Sequence, residues 1–103
     1  MRAARPAAAK SPAVSRLKPI VLRVARRYGV NNIRIFGSFA RGEQRKTSDI
    51  DLLVDLPEGM TILDLSALKI DLEEALMRKV DVVPARSVKP ALRDRIFAEA
   101  RAL

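Results

Sequence analysis

The fold is indicated most clearly by two segments of this chain, Gly-Ser-Phe-Ala-Arg-Gly at residues 37–42 and Ser-Asp-Ile-Asp-Leu-Leu-Val at residues 48–54. The second segment predicts a β-strand that begins at Asp49. Alternate side chains of a strand share a face and each residue advances the chain by about 3.3 Å, so Asp49 and Asp51 are expected on one face, roughly 6.6 Å apart. The intervening Ile50 then faces the core. Two carboxylates at this spacing suit a hard divalent cation.

The first segment predicts a turn that can hold an anion. A Gly-Ser pair that follows a strand and opens a helical turn offers backbone N–H groups and a hydroxyl, and Gly37 has no Cβ to keep a phosphate away. Either motif alone is common in turns and on protein surfaces. Because only six residues separate Gly42 from Asp49, the loop is expected to bring the turn and the carboxylates together. The combination indicates metal-assisted chemistry on a phosphate.

A third carboxylate, Asp81, lies in the apolar run 80–83. An ionised carboxylate is costly in a buried strand unless it is paired, hydrogen-bonded or bound to a metal. If this strand neighbours the strand of Asp51, then Asp81 completes a cluster of three carboxylates, as a site with two metal ions about 4 Å apart requires. A salt bridge from Asp81 to Arg78 or Lys79 is the alternative.

The composition excludes several kinds of site. With 103 residues, the chain is one small domain. It has no Cys, which excludes disulfides and thiolate sites, and no His, which excludes a Ser-His-Asp triad and imidazole-bound zinc. The apolar runs fall far short of the ~20 residues that span a bilayer. We therefore expect a cytoplasmic protein, without a membrane partner, whose chemistry uses carboxylates, hydroxyls, Lys, Arg and bound metal.

The net charge of +8 is concentrated at one end of the chain. Of the 20 basic residues, eight lie within residues 1–27, which contain no acid, and the other 12 are matched by 12 acids. This distribution predicts a disordered basic tail over residues 1–14 and a neutral folded domain over residues 15–103. A neutral domain is a poor nucleic-acid binder, so no direct nucleic-acid partner is expected.

The pattern of apolar residues predicts an α/β domain with a sheet of three or so strands, flanked by helices. Ser15 is expected to cap a first helix that ends at Arg27, and Thr61 a helix that ends near Met77. Pro90 is expected to open a last helix that reaches Leu103. The predicted strands are 33–36, 49–56 and 80–83, and a short helical turn is predicted at 38–41.

Three motifs together, at residues 37–42, 48–54 and 78–83, resemble those of the minimal nucleotidyltransferases in the DNA polymerase β superfamily. The chain is more closely similar to the MntA-type antitoxins that accompany HEPN-domain ribonuclease toxins in prokaryotes. The resemblance covers about residues 17–103. It implies a palm-like nucleotidyltransferase core with a small mixed sheet flanked by helices. It also implies the transfer of AMP from ATP to a hydroxyl, with release of pyrophosphate.

The resemblance also implies roles for six residues. Gly37 and Ser38 would bind the nucleotide phosphates, and Arg41 would support the turn or the triphosphate. Two Mg²⁺ ions would be held by the three acids Asp49, Asp51 and Asp81, the last of which would also activate the acceptor hydroxyl.

The acceptor implied by the family is a tyrosine of the HEPN toxin, whose ribonuclease activity is blocked by the modification, and a hetero-oligomer with the toxin is expected. One departure is visible, since the family often has Gly where this chain has Met77. Two other functions stay open. The nucleotide could be transferred to a small-molecule hydroxyl, or the chain could be a non-catalytic antitoxin that occludes its partner.

Overall fold

The computed structural model describes residues 12–103, which form helices on a four-stranded sheet. A 3-10 helix, Ala85–Ser87, follows the third strand. The α-helices are α1 (Pro12–Arg27), α2 (Ser38–Arg41), α3 (Ile62–Leu76) and α4 (Pro90–Glu99), and the strands are β1 (Asn31–Phe36), β2 (Ile50–Asp55), β3 (Val80–Pro84) and β4 (Arg101–Ala102).

The sheet has the strand order β3-β2-β1-β4 and is mixed, as predicted. Strand β1 pairs antiparallel with both β2 and β4, whereas β2 and β3 run parallel. Parallel neighbours need a crossover between them, and α3 supplies it. The starts of β2 and β3 therefore lie side by side at one end of the sheet.

The hydrophobic core lies between this sheet and the pair of helices α1 and α3, which contact each other. Ile50, Leu52 and Val54 point into it from the central strand and are each at most 1% exposed. Leu68 and Leu72 of α3 meet them and are equally buried. The expected alternation along β2 is thus present, and it orients the side chain of Asp51 away from this core.

Helix α1 begins earlier than predicted, at Pro12, so the assignment of Ser15 as its N-cap was wrong. Val14 lies one heptad before Val21 on the same apolar stripe and is 2% exposed, which explains the extra turn. The predicted boundary between tail and domain at residues 14 and 15 falls inside this helix. Residues 1–11 lie outside the described residues, and their disorder stays a prediction.

The end of the chain also differs from the prediction, because α4 ends at Glu99 instead of continuing to Leu103. Arg101 and Ala102 form β4, which pairs with β1, and the Leu103 N–H donates to the Ile33 carbonyl at 2.9 Å. Pairing with β4 satisfies backbone groups on the outer edge of β1 that a longer helix would leave exposed. Within residues 12–103, no helix has the length and apolar character needed to cross a membrane.

Helix α3 has the ends that the sequence predicted. Thr61 and Asp64 form a reciprocal capping box, in which each side chain accepts the other residue's backbone N–H. At the other end Met77 is the C-cap, with φ 54° and ψ 43°, and its side chain is 88% exposed. The left-handed conformation at this position is one that favours glycine, and the turn forms here with methionine.

We predict that Met77→Gly stabilises the domain. Glycine adopts positive φ without the steric cost that an L side chain bears, and this gain is partly offset by its greater entropy when unfolded, which leaves about 0.5–1 kcal/mol. Urea unfolding followed by circular dichroism measures the change. Met77→Ala, which keeps a Cβ, is the control and should match the wild type. Equal stability of the glycine and alanine variants would refute the prediction.

Candidate active site

Asp51 and Asp81 lie directly opposite each other in the parallel register of β2 and β3. The neighbouring strands required by the sequence prediction are therefore present. Asp81 is exposed, however, so its carboxylate does not bear the cost of burial that the surrounding valines suggested. Val80 and Val82 face the core, so the alternation of the strand turns Asp81 to the opposite face.

Asp49 lies immediately before β2, which begins at Ile50 and not at Asp49 as predicted. Its side chain is exposed, and it is close enough to Asp51 to affect the pKa of that carboxyl. Asp51 itself is half-buried. The three acids thus lie at the end of the sheet where β2 and β3 begin.

Gly37 packs against Asp51. The preceding residue, Phe36, pairs with Asp51 across β1 and β2, and Gly37 has φ 76°. A Cβ at Gly37 would lie 2.1 Å from Oδ2 of Asp51. The positive φ favours glycine here, and any side chain would displace the neighbouring carboxylate. From the sequence, the need for glycine was attributed to the phosphate alone.

The remaining members of the first motif follow in α2. The Arg41 N–H donates to the Gly37 carbonyl at 3.1 Å, and the Glu43 N–H donates to the Ser38 carbonyl at 2.8 Å. These bonds fix Ser38 at the start of the helix, beside the glycine. The motif therefore brings Gly37, Ser38 and Arg41 to the same end of the sheet as the acids.

Burial and neighbouring negative charges both destabilise the ionised form of Asp51. Burial, followed by the charges of Asp81, Asp49 and Glu99, raises the pKa of Asp51 from its ordinary value of 3.8 to about 6, whereas Arg41 opposes the rise. A cation bound beside these acids would offset their repulsion and would lower the pKa of Asp51.

Glu99 is the site residue that sequence reasoning missed. It forms an ion pair with Arg41, which also pairs with Glu43 at 2.9 Å. Hydrogen bonds to these two acids raise the pKa of Arg41, and the bond to Glu43 has the larger effect. The pair joins α2 to the end of α4, across 58 positions of sequence. No local pattern predicts such a contact.

A cavity of about 650 Å³ opens beside the glycine turn. Gly37 and Arg41 line one side, and Arg95 and Glu99 of α4 line another. The cavity is large enough for a nucleotide-sized ligand. Its walls carry two arginines and one carboxylate, so charges of both signs face the cavity.

The donor chemistry of the three acids fits a hard cation such as Mg²⁺, since each offers carboxylate oxygens and one is half-buried among like charges. Within residues 12–103, however, the acidic side chains do not converge into a group of three or more positioned to hold a metal ion. The sheet brings Asp51 and Asp81 side by side, and Asp49 lies directly before the same strand as Asp51.

Comparison with known proteins assigns the family. The model of the nucleotidyltransferase domain family matches residues 17–103. The chain belongs to this family. A candidate protein adenylyltransferase of Methanocaldococcus jannaschii is 46% identical over 87 residues, which cover 84% of this chain and 94% of the relative. The protein adenylyltransferase MntA of Thermococcus cleftensis is 38% identical over 73 residues, or 71% and 74% of the two chains.

Solved structures agree with this assignment. The fold matches that of a candidate minimal nucleotidyltransferase with a TM-score of 0.76 and 44% identity, over 88% of this chain and 92% of the other. It also matches a chain of a toxin–antitoxin complex with AMP-PNP, with a TM-score of 0.73 and 25% identity, over 82% and 70% of the two chains. The nucleotidyltransferase resemblance and the predicted fold class are thereby confirmed.

We predict that Asp51→Asn stabilises the metal-free domain increasingly as pH rises. The folded state keeps a proton on Asp51 up to pH about 6, whereas the unfolded chain loses it near 3.8. The wild type therefore loses stability between these two values. Removing the charge should recover about 1 kcal/mol above pH 6, after allowance for solvent screening of this half-buried group.

Thermal melting in EDTA between pH 4.5 and pH 7.5 measures this difference. Asp94→Asn, at an exposed position of α4, is the control and should give no pH-dependent gain. A gain from Asp51→Asn that is constant over the whole pH range would contradict the electrostatic explanation.

Proposed function

We propose that this chain transfers AMP from ATP to a tyrosine hydroxyl of a cognate HEPN ribonuclease toxin, and so neutralises it in a cytoplasmic complex. The observation that carries the proposal is the placement of Asp51 opposite Asp81 and against Gly37. This arrangement puts a phosphate-sized turn and a set of carboxylates at one edge of the sheet. It is the minimum needed for nucleotidyl transfer with metal.

The relatives support the chemistry and the kind of acceptor. The T. cleftensis relative is a protein adenylyltransferase, and a structural match at 25% identity comes from a toxin–antitoxin complex with a nucleotide analogue. The chain spans 74% of the former and 70% of the latter. A protein acceptor also agrees with the exposure of Asp81, because a partner's side chain can reach it from solvent.

In the proposed reaction the acceptor oxygen attacks the α-phosphorus of ATP, the bond from that phosphorus to the bridging oxygen breaks, and pyrophosphate leaves. Asp81, which is exposed and opposite Asp51, would accept the proton of the hydroxyl. The turn at Gly37 and Ser38 would orient the phosphates, and Arg41 would contribute positive charge beside them. Asp49, Asp51 and Asp81 would hold two Mg²⁺ ions, whose role is to neutralise charge on the phosphates.

We predict that the double variant Asp49→Asn, Asp51→Asn loses transfer of labelled AMP to the toxin by at least about 100-fold, because it removes two anionic ligands. The variant should remain folded, since the substitutions relieve repulsion. Co-purification with the toxin should also survive. The control is Asp55→Asn at the far end of β2, which should transfer AMP normally. Normal transfer by the double variant would refute the catalytic assignment.

We predict that Gly37→Val weakens ATP binding by well over tenfold, which is more than about 1.4 kcal/mol, because the added side chain displaces the Asp51 carboxylate and crowds the turn. Isothermal titration calorimetry measures the affinity. The matched control is Gly59→Val, which also has positive φ, at +86°. Beyond its chain neighbours, a Cβ added at Gly59 would meet no atom of residues 12–103 within 4 Å.

The same variant separates an enzyme from an occluding antitoxin. Transfer requires ATP, so Gly37→Val should fail to silence the toxin in cells although it still binds the toxin. Full silencing by this variant would show that inhibition occurs by contact and not by modification.

A further inference from the structure

Arg78 contacts the loop that carries Asp49, and this contact is not explained by any role assigned so far. One guanidinium nitrogen, Nη1, lies 3.1 Å from the carbonyl oxygen of Arg45, 3.0 Å from that of Lys46 and 2.8 Å from that of Ser48. From the sequence, an ion pair with Asp81 was the contact suggested for Arg78. In the structure the Arg78 guanidinium donates to backbone carbonyls instead.

The loop needs such a contact because it has little structure of its own. Residues 43–49 lie between α2 and β2 and form neither helix nor strand. Two bonds close a turn within it, from the Ser48 N–H to the Arg45 carbonyl at 3.0 Å and from the Arg45 N–H to the Ser48 Oγ at 2.7 Å. Asp49 follows this turn directly, so the position of its carboxylate depends on how the turn is held.

The guanidinium also contacts the glycine motif. Its carbon lies 5.3 Å from the centre of the Phe39 ring, and Phe39 is 3% exposed in α2, one residue after Ser38. At this distance the ring attracts the cation and favours the placement of the guanidinium over its face. Arg78 is therefore held on one side by the helix of the phosphate turn and binds the Asp49 loop on the other.

The backbone of the same segment links it to β2 and β3. The Ile50 N–H donates to the Lys79 carbonyl at 3.0 Å, and Asp81 follows two residues later on β3. Arg78 thus lies where the segments of the phosphate turn, Asp49 and Asp81 meet. Lysine could keep the charge at this position but not the planar group that stacks on a ring while it donates to several carbonyls.

We propose that Arg78 is a positioning residue, which fixes the Asp49 carboxylate by holding the turn at residues 45–48 against α2. The proposal rests on the proposed function for its consequence, that this carboxylate binds a divalent cation. Arg78 acts through its hydrogen bonds to the loop carbonyls and its contact with the Phe39 ring. A side chain that retains the positive charge without the guanidinium should therefore not preserve the position of the Asp49 carboxylate.

The test compares Arg78→Lys and Arg78→Ala with the wild type, and uses Arg86→Ala as the control, since Arg86 is an exposed arginine after the far end of β3. The first measurement is amide hydrogen exchange of residues 43–49 without metal or nucleotide. The second is the affinity for Mn²⁺ in the presence of a non-hydrolysable ATP analogue, by electron paramagnetic resonance. The third is the kcat for AMP transfer.

Both Arg78 variants should exchange these amides faster and should lose about 10–100-fold in Mn²⁺ affinity and in kcat, as is typical when a group that orients a metal ligand is removed. The Arg86 control should match the wild type in all three. Wild-type exchange and Mn²⁺ affinity in Arg78→Lys would overturn the proposal.

The role of Arg78 can be decided even if one variant does not fold or the proposed function is wrong. If Arg78→Ala fails to fold, Arg78→Lys decides by the same criteria, because it retains the charge and most of the side-chain length. If the wild type transfers no AMP, the proposed function fails. Hydrogen exchange and Mn²⁺ affinity then still support or overturn the role of Arg78.

Discussion

The close contact between Gly37 and the Asp51 carboxylate is the constraint on which the rest of the site depends. A Cβ at Gly37 would lie 2.1 Å from Oδ2 of Asp51, so any other residue at this turn would displace the carboxylate from its position. The contact follows from the antiparallel pairing of Phe36 with Asp51. The parallel pairing of β2 with β3 then adds Asp81 beside Asp51. Two ladders of backbone hydrogen bonds thus assemble the site.

The metal-free domain bears an electrostatic cost for this arrangement. Burial and neighbouring acids raise the pKa of Asp51 to about 6, so the carboxylate is partly protonated near neutral pH until a cation offsets the repulsion. The two arginines nearest the site are held by other partners. Arg41 pairs with Glu43 and Glu99 at the mouth of the cavity, whereas Arg78 binds the loop before Asp49.

Local sequence could predict those parts of the fold that local physics determines. The alternation of apolar residues gave β2 and β3, and Thr61 gave the start of α3, because a capping box involves residues three positions apart. The Gly-Ser and Asp-x-Asp motifs identified five of the six proposed site residues within 15 positions of one another. Met77 shows the converse, since its left-handed turn forms although its side chain does not favour it.

Contacts between distant segments explain the rest. Residues 90–103 have a helical apolar pattern throughout, yet the free edge of β1 draws Arg101 and Ala102 into the sheet. The start of α1 at Pro12 depends on a place in the core for Val14. Neither Glu99 nor the three carbonyl contacts of Arg78 has a local sequence signal, because their partners lie 30 or more positions away.

The proposed transfer of AMP to a protein can be tested by the intact mass of a cognate HEPN toxin. The purified toxin would be incubated with this chain, ATP and Mg²⁺, and then analysed by mass spectrometry. We expect a mass increase equal to one or more whole AMP groups, located on tyrosine and absent when Mg²⁺ is replaced by EDTA. An unchanged toxin mass, with the toxin nevertheless inhibited in the complex, would contradict the proposal.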